Sequence, residues 1–153
     1  MAEFTYNPIQ EIAASNAAIF NTTIGCGEGL ILHRPESAQI FLRGFSHCPC
    51  KRYERYQATF NGNIAIPEGD TVGPISISLA INGEAIQTSK AIVTPAAVDE
   101  YFNVTSTAYI DVPADCCMSL SVENTSVSTT PATAPAPSIN MQNANLVVTR
   151  VRA

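Results

Sequence analysis

The sequence predicts an all-β fold, an antiparallel β-sandwich of the jelly-roll kind, and two observations predict it. Apolar and polar residues alternate along several short runs, and turn residues separate those runs at intervals of about a dozen residues. At 153 residues the chain is long enough for one domain with a real core and short for two. The expected organisation is an extended N-terminal arm over residues 1–16 and a single jelly-roll domain over 17–153.

The clearest run is "GPISISLAI", where Ile75, Ile77, Leu79 and Ile81 alternate with Ser76, Ser78 and Ala80. A period of two puts the four large side chains on one face of a sheet. The run ends at Asn82-Gly83, a pair that tolerates the positive φ angles of a two-residue hairpin turn. "EAIQTSKAIVT" then reads as one returning strand.

The other strands follow the same logic. Residues 17–24 and 30–34 flank the Gly-rich turn "GCGEG", and 38–44 follows Pro35 and Glu36. Residues 56–66 stop at Pro67, 102–112 stop at Pro113, 117–125 place Met118, Leu120 and Val122 on one face, and 139–151 close the domain. About eight strands result. A helix is conceivable only in "NPIQEIAASNAAI", where Pro8 and the Ser15-Asn16 pair weaken it, so the segment reads as extended. Residues 126–138 carry Pro131, Pro135 and Pro137 among Ala, Ser and Thr. That composition makes a polar, semi-extended surface loop between two strands.

Charged residues make up only 14% of the chain, well below the usual quarter. A charge-poor surface fits an obligate oligomer whose faces are covered by copies of itself. The net charge of −5 excludes an ordinary nucleic-acid binder, which needs a basic patch to release counterions. No run approaches the ~18 to 20 apolar residues of a membrane-spanning helix, and the N-terminus lacks the basic head and apolar stretch of a secretory signal. Synthesis and assembly in a cytoplasm are therefore expected. The Asn-x-Ser/Thr triplets at Asn21, Asn103 and Asn124 then read as accidents of a Thr-rich chain.

Five cysteines, Cys26, Cys48, Cys50, Cys116 and Cys117, draw the eye, most of all in "SHCPCKRYERY". Structural zinc sites use Cys-x2–4-Cys knuckles, whereas this chain offers Cys-x-Cys and Cys-Cys. Adjacent strand residues point to opposite faces, so Cys116 and Cys117 share a ligand set poorly. Free thiols are the default reading. A disulfide joining the 48–50 turn to the 116–117 strand start stays open, provided the protein matures outside a reducing compartment. No metal and no cofactor are expected.

Catalytic motifs are missing: there is no Gly-x-Ser-x-Gly, no His-Glu-x-x-His, no phosphate-binding glycine loop and no Cys-x-x-Cys at a helix start. Carboxylates are scattered with no spacing that selects a pair, so the chain is not expected to be an enzyme. The aromatic-basic cluster at 51–56 suits either an interface, where Tyr and Arg are enriched, or an exposed strand edge. Tyr53, Arg55, Tyr56 and, further on, Tyr101 are the candidate interface residues.

Residues 73–126 carry a resemblance. Gly73-Pro74 opening a strand, the "ING" hairpin, "TPAAVDEYFNV", "VP" before "SLSVENTS" and the closing "INMQNANLVV" resemble small trimeric jelly-roll proteins of the tumour-necrosis-factor and complement-head type. The pattern is similar to the C-terminal domains of bacterial collagen-like spore-surface proteins and to small structural proteins of gut phages. It covers residues 55–151, without a Gly-x-y stalk. The resemblance implies a TNF-like jelly roll, a homotrimer, and a structural or display role without catalysis. The expected setting is a phage virion surface, as a capsid decoration or tail-surface protein assembled in the host cytoplasm beside the major capsid protein. A host-glycan or receptor-binding head is the alternative.

Overall fold

A computed structural model describes residues 1–25, 29–44, 52–128 and 135–151. The strands are β1 (Ala2–Tyr6), β2 (Gln10–Ile12), β3 (Thr22–Ile24), β4 (Ile31–His33), β5 (Ile40–Arg43), β6 (Tyr53–Ala65), β7 (Ile75–Ile81), β8 (Glu84–Ala85), β9 (Ala91–Val93), β10 (Phe102–Pro113), β11 (Cys117–Asn124) and β12 (Ile139–Val151), with one 3₁₀ turn at Gln87–Ser89. They form two antiparallel sheets. The first runs β10-β6-β12-β1-β3, with β2 also on β12; the second runs β4-β5-β11-β7-β8, with β9 also on β7. From β5 onward the connections to β6, β7, β10, β11 and β12 each cross from one sheet to the other. That crossing pattern makes the sandwich a jelly roll, as the sequence predicts.

The core lies between the sheets. Phe4, Phe20, Tyr56, Phe60, Ile64, Ile75, Ile77, Leu79 and Leu120 are fully buried, and burial of each large apolar side chain contributes about 1.5–3 kcal/mol. Strand β10 shows the alternation most plainly: Val104, Ser106, Ala108, Ile110 and Val112 face inward while Asn103, Thr105, Thr107, Tyr109 and Asp111 face solvent. Asn82 (φ 53°) and Gly83 (φ 79°) both take positive φ, the signature of the type I′ turn expected there.

Three local features differ from the sequence reading. The N-terminal segment is extended but is woven into the first sheet: Ala2 and Phe4 are buried, and β1 pairs with β12 through Ala2↔Val148 to Tyr6↔Ala144. Pro8 has no N–H for the ladder, so the strand breaks there and resumes as β2. The returning strand after the hairpin is divided into β8, the 3₁₀ turn and β9. The Ser89 hydroxyl causes the break, accepting from Leu79 N at 3.0 Å and donating to Ile86 O at 2.7 Å, where a backbone ladder would run. Residues 17–24 contribute only a short strand plus single bridges at Ala17 and Phe20.

The sandwich has two distinct ends. At the base, β6 begins, β10 and β12 end, and Gly44 meets the turn at 113–117 through Gly44 N→Cys116 O (2.8 Å) and Asp115 N→Gly44 O (3.1 Å). At the apex lie the connections β6–β7, β9–β10 and β11–β12. There Asn124, fully buried, donates from Nδ2 to Ile12 O (2.9 Å) and Pro137 O (3.0 Å) and accepts from Ser126 N (3.0 Å). One amide therefore ties both sheets and the last loop together.

A Cβ at position 44 would lie 1.8 Å from Pro113 O and 2.6 Å from its carbonyl carbon. Gly44→Ala must push the 113–117 turn away, an overpacking that costs about 1–3 kcal/mol. Thermal unfolding should show a lower midpoint, by about 2–4 °C for each kcal/mol; an unchanged midpoint would show that the turn yields freely.

Candidate functional site

The outer face of the first sheet is broad and low in charge. Cross-strand registers set its rows: Asn103–Asn63–Gln142, Thr105–Asn61–Asn145, Thr107–Thr59–Val147, Tyr109–Gln57–Thr149 and Asp111–Arg55–Val151. Arg55 and Asp111 are the charged members of these rows, and they neutralise each other. Arg55 Nε and Nη2 reach the two carboxylate oxygens of Asp111, each at 2.7 Å. The guanidinium also lies 5.4 Å from the centre of the Tyr53 ring, a cation–π distance. Tyr53 and Tyr109 are 46% and 65% exposed. The Tyr53 ring thus lies beside a guanidinium held in a fork, with the exposed Tyr109 in the neighbouring row.

The polar side chains of this face bond to one another. Asn61 Nδ2 donates to Thr105 Oγ1 at 2.9 Å and to Asn103 Oδ1 at 3.2 Å; Asn103 Nδ2 returns bonds to Asn61 Oδ1 (3.2 Å) and Asn63 Oδ1 (3.1 Å). Thr107 bonds Thr59 at 3.2 Å, and the Asn145 amide bonds the Glu3 carboxylate. Covering a polar surface is costly when its donors lose water and find no partner. Here many partners are already in place, and neutral amides and hydroxyls desolvate far more cheaply than charges. This chemistry allows the face to be buried.

The Asp111 carboxyl is held below the usual carboxylate range chiefly by its hydrogen bonds to Arg55, which outweigh the opposing effect of burial with help from that group's charge. Arg55 is raised correspondingly. Neither shift implies catalysis; each marks an ion pair.

The sequence candidates divide. Tyr53 and Arg55 belong to this face. Tyr56 does not: it is fully buried, its hydroxyl donating to Arg43 O. Strand parity sends it inward beside Glu54, whose carboxylate forms a two-point bond with Arg150 at 2.7 and 2.8 Å. Burial and the neighbouring Glu54 push the Tyr56 phenol up to about 12, with Arg150 acting the other way. Tyr101 lies at the apex, half-buried, its phenol raised by burial and by Asp99. Tyr109 is the member that the sequence reading missed, although its alternation with Thr107 and Asp111 was legible.

Cys48 and Cys50 lie outside the described residues. Cys116 and Cys117 are exposed and free at the base, where both flanks of residues 45–51 meet the 113–117 turn through Gly44 and Arg52. Among the described residues no cluster of three or more His, Cys, Asp or Glu side chains could hold a metal ion, and no helix is long and apolar enough to cross a membrane. Of the Asn-x-Ser/Thr triplets, Asn21 and Asn103 are exposed, while Asn124 is sealed in the core.

No protein-family model and no curated protein matches the sequence. Solved structures do. The chain is similar to the globular domain of zebrafish complement 1qA protein, with a TM-score of 0.55 at 10% identity over 95% of this chain and 92% of that one. It also aligns, at a TM-score of 0.35 each, with the C-terminal domain of EclA, a sugar-binding protein (17% identity, 77% of this chain and 83% of that one), and with the CBM22-1 xylan-binding domain of Paenibacillus barcinonensis Xyn10C (8% identity, 99% and 86%). The first alignment establishes a shared jelly-roll fold.

Two predictions follow from this geometry. Asp111→Asn should lower the thermal midpoint slightly at neutral pH. Because the folded carboxyl titrates below its unfolded value, the pair stabilises above the usual carboxylate range and is lost as pH falls through the folded value. The gap between variant and parent should therefore close in acid; a gap that persists would count against the ion pair. A thiol reagent applied to the native, unreduced protein should label Cys116 and Cys117 at once, and labelling seen only after denaturation would contradict their exposure.

Proposed function

We propose that the chain is a non-enzymatic structural protein of a phage virion, a homotrimeric jelly roll that decorates the capsid or the tail surface. The observation that carries this reading is the outer face of the first sheet, poor in charge and already bonded to itself. Lys and Glu are depleted and Tyr and Arg enriched in the buried centre of protein interfaces, and this face follows that composition around Tyr53, Arg55 and Tyr109. A second copy of the chain is the natural cover for such a face in a protein with closed symmetry. The resemblance of residues 55–151 to small phage-encoded jelly-roll proteins supplies the virion setting. Assembly takes place in the host cytoplasm, with the major capsid protein as the docking partner.

A second reading has one observation in its favour. The exposed rings of Tyr53 and Tyr109 beside a fixed guanidinium form planes on which a sugar can stack. A host-glycan or receptor-binding head would use that end of the face.

The expected result is a discrete trimer at micromolar concentration by size exclusion with light scattering. Tyr109→Glu places an uncompensated charge at the centre of the proposed contact and should yield a folded monomer. A parent protein that runs as a clean monomer would overturn the trimer. Binding to a glycan array without binding to capsids or tails would favour the second reading over the first.

A further inference from the structure

The connections β6–β7 and β11–β12 enclose a cleft at the apex that the outer face of the first sheet does not involve. Its volume is about 350 Å³, and its lining is chemically mixed. Val72, 45% exposed, lies on one wall and Val127, 63% exposed, on the other, with Pro74, Pro135 and Pro137 completing an apolar surface. Asp70 supplies the one ionic group among the lining residues, and none of them is basic. The carboxylate is fixed in place: Oδ2 accepts the amide of Ser138 at 3.1 Å. That bond uses Oδ2 alone, and no bond to Oδ1 is made among the described residues.

The surroundings set the sign of that ligand. Glu68 lies two residues from Asp70, and the neighbouring apical connection carries Asp99 and Glu100. The nearby cation, Lys90, is occupied by Thr125 O at 3.1 Å. Arg43, Arg52, Arg55 and Arg150 are all at the opposite end, where β5 ends, β6 starts and β12 finishes. An anion would therefore enter a negative field with no cation among the described lining residues to neutralise it. A cation with an aliphatic stem matches both properties of the cleft, since Lys and Arg lay their methylenes along apolar surface and keep the charged head on a polar group.

We propose that this cleft docks a lysine- or arginine-bearing segment of a partner polypeptide, the stem between Val72 and Val127 and the cation on Asp70. The proposal is independent of the trimer. A partner presenting basic loops would be captured by the apex while the sheet face serves self-association. Charge steers the encounter, and the valine walls make it local.

The test titrates a fluorescein-labelled hexalysine peptide against the intact protein by anisotropy, with hexaglutamine as the uncharged control. Salt is kept at about 150 mM, where exposed charges more than ~8 Å apart are largely screened. Hexalysine should bind and hexaglutamine should not, and amide shifts in a parallel NMR titration should gather in residues 66–74 and 125–128. Asp70→Asn keeps the acceptor for Ser138 N and removes the charge; Val127→Ser removes an exposed wall without touching the core. Each should weaken hexalysine binding by about fivefold or more, a readily resolved difference in Kd. No hexalysine binding, equal binding of hexaglutamine, or binding that neither variant weakens would overturn the proposal. Weakening by Asp70→Asn alone would overturn it too, because it would reduce the effect to diffuse attraction by an acidic end.

Discussion

The pairing of β6 with β12 at the centre of the first sheet is the constraint on which the rest of this domain depends. Side chains alternate with a period of two, so a slip of one residue would turn Phe60, Leu146 and Val148 out and Asn61 and Thr59 in. The ladder carries one irregularity, between Gln142 and Asn145. Asn143 takes φ 52° there, and the extra residue resets the parity, so that Ile139 and Met141 before it and Ala144, Leu146 and Val148 after it all face the core. The break between β1 and β2 falls opposite this bulge, with Asn143 N bonded to Asn7 O at 3.2 Å. Pro8 and the bulge are two halves of one adjustment. They let a single long strand serve two short partners along one edge.

The base of the sandwich stays sealed by polar contacts that the hydrophobic pattern does not announce. Glu54 is buried at an inward position of β6, and its two-point bond to Arg150 offsets the cost of a carboxylate there. Tyr56, next in the same inward row, fills its site with a ring and spends its hydroxyl on Arg43 O. At the apex Asn124 does the equivalent with three bonds. On the open edge, His33 of β4 bonds Thr23 at 3.1 Å and Ser37 O at 3.1 Å and packs 5.0 Å from the Phe4 ring. At the base, the apex and the open edge the apolar core is thus closed by polar side chains with partners in place.

These details explain what could be seen in the sequence. Long alternating runs were legible, because β6, β7, β10, β11 and β12 obey the period of two over many residues. Strand β1 was not: five residues with Ala2 and Phe4 as their inward members give too short a pattern, and their register comes from β12, at the far end of the chain. The break at Ser89 was equally hidden, since it depends on a hydroxyl reaching Leu79 N across the hairpin. The assignment of Tyr56 to a surface followed composition, Tyr among Arg, where parity with Phe60 and Ile64 pointed inward. Parity also exposes Tyr109, so the candidate face was half legible. What joins its rows is register, and register between distant strands is a tertiary fact.

Charge placement connects the face to the cleft. At the base, Arg55 is matched by Asp111 and Arg150 by Glu54, so much of the positive charge there is cancelled within one chain. Apical acids such as Glu68 and Asp70 have no cation beside them among the described residues. In a side-by-side assembly of the proposed kind, parallel copies would therefore bring partly neutralised bases together at reduced cost. Their acidic apices would repel only weakly once separated by more than a Debye length of ~8 Å. Neutrality along the side face permits association, and uncancelled charge at the apex is left to choose a partner. A protein with few charges gains selectivity from where it leaves them uncompensated, and here that place is the rim of a cleft with apolar walls.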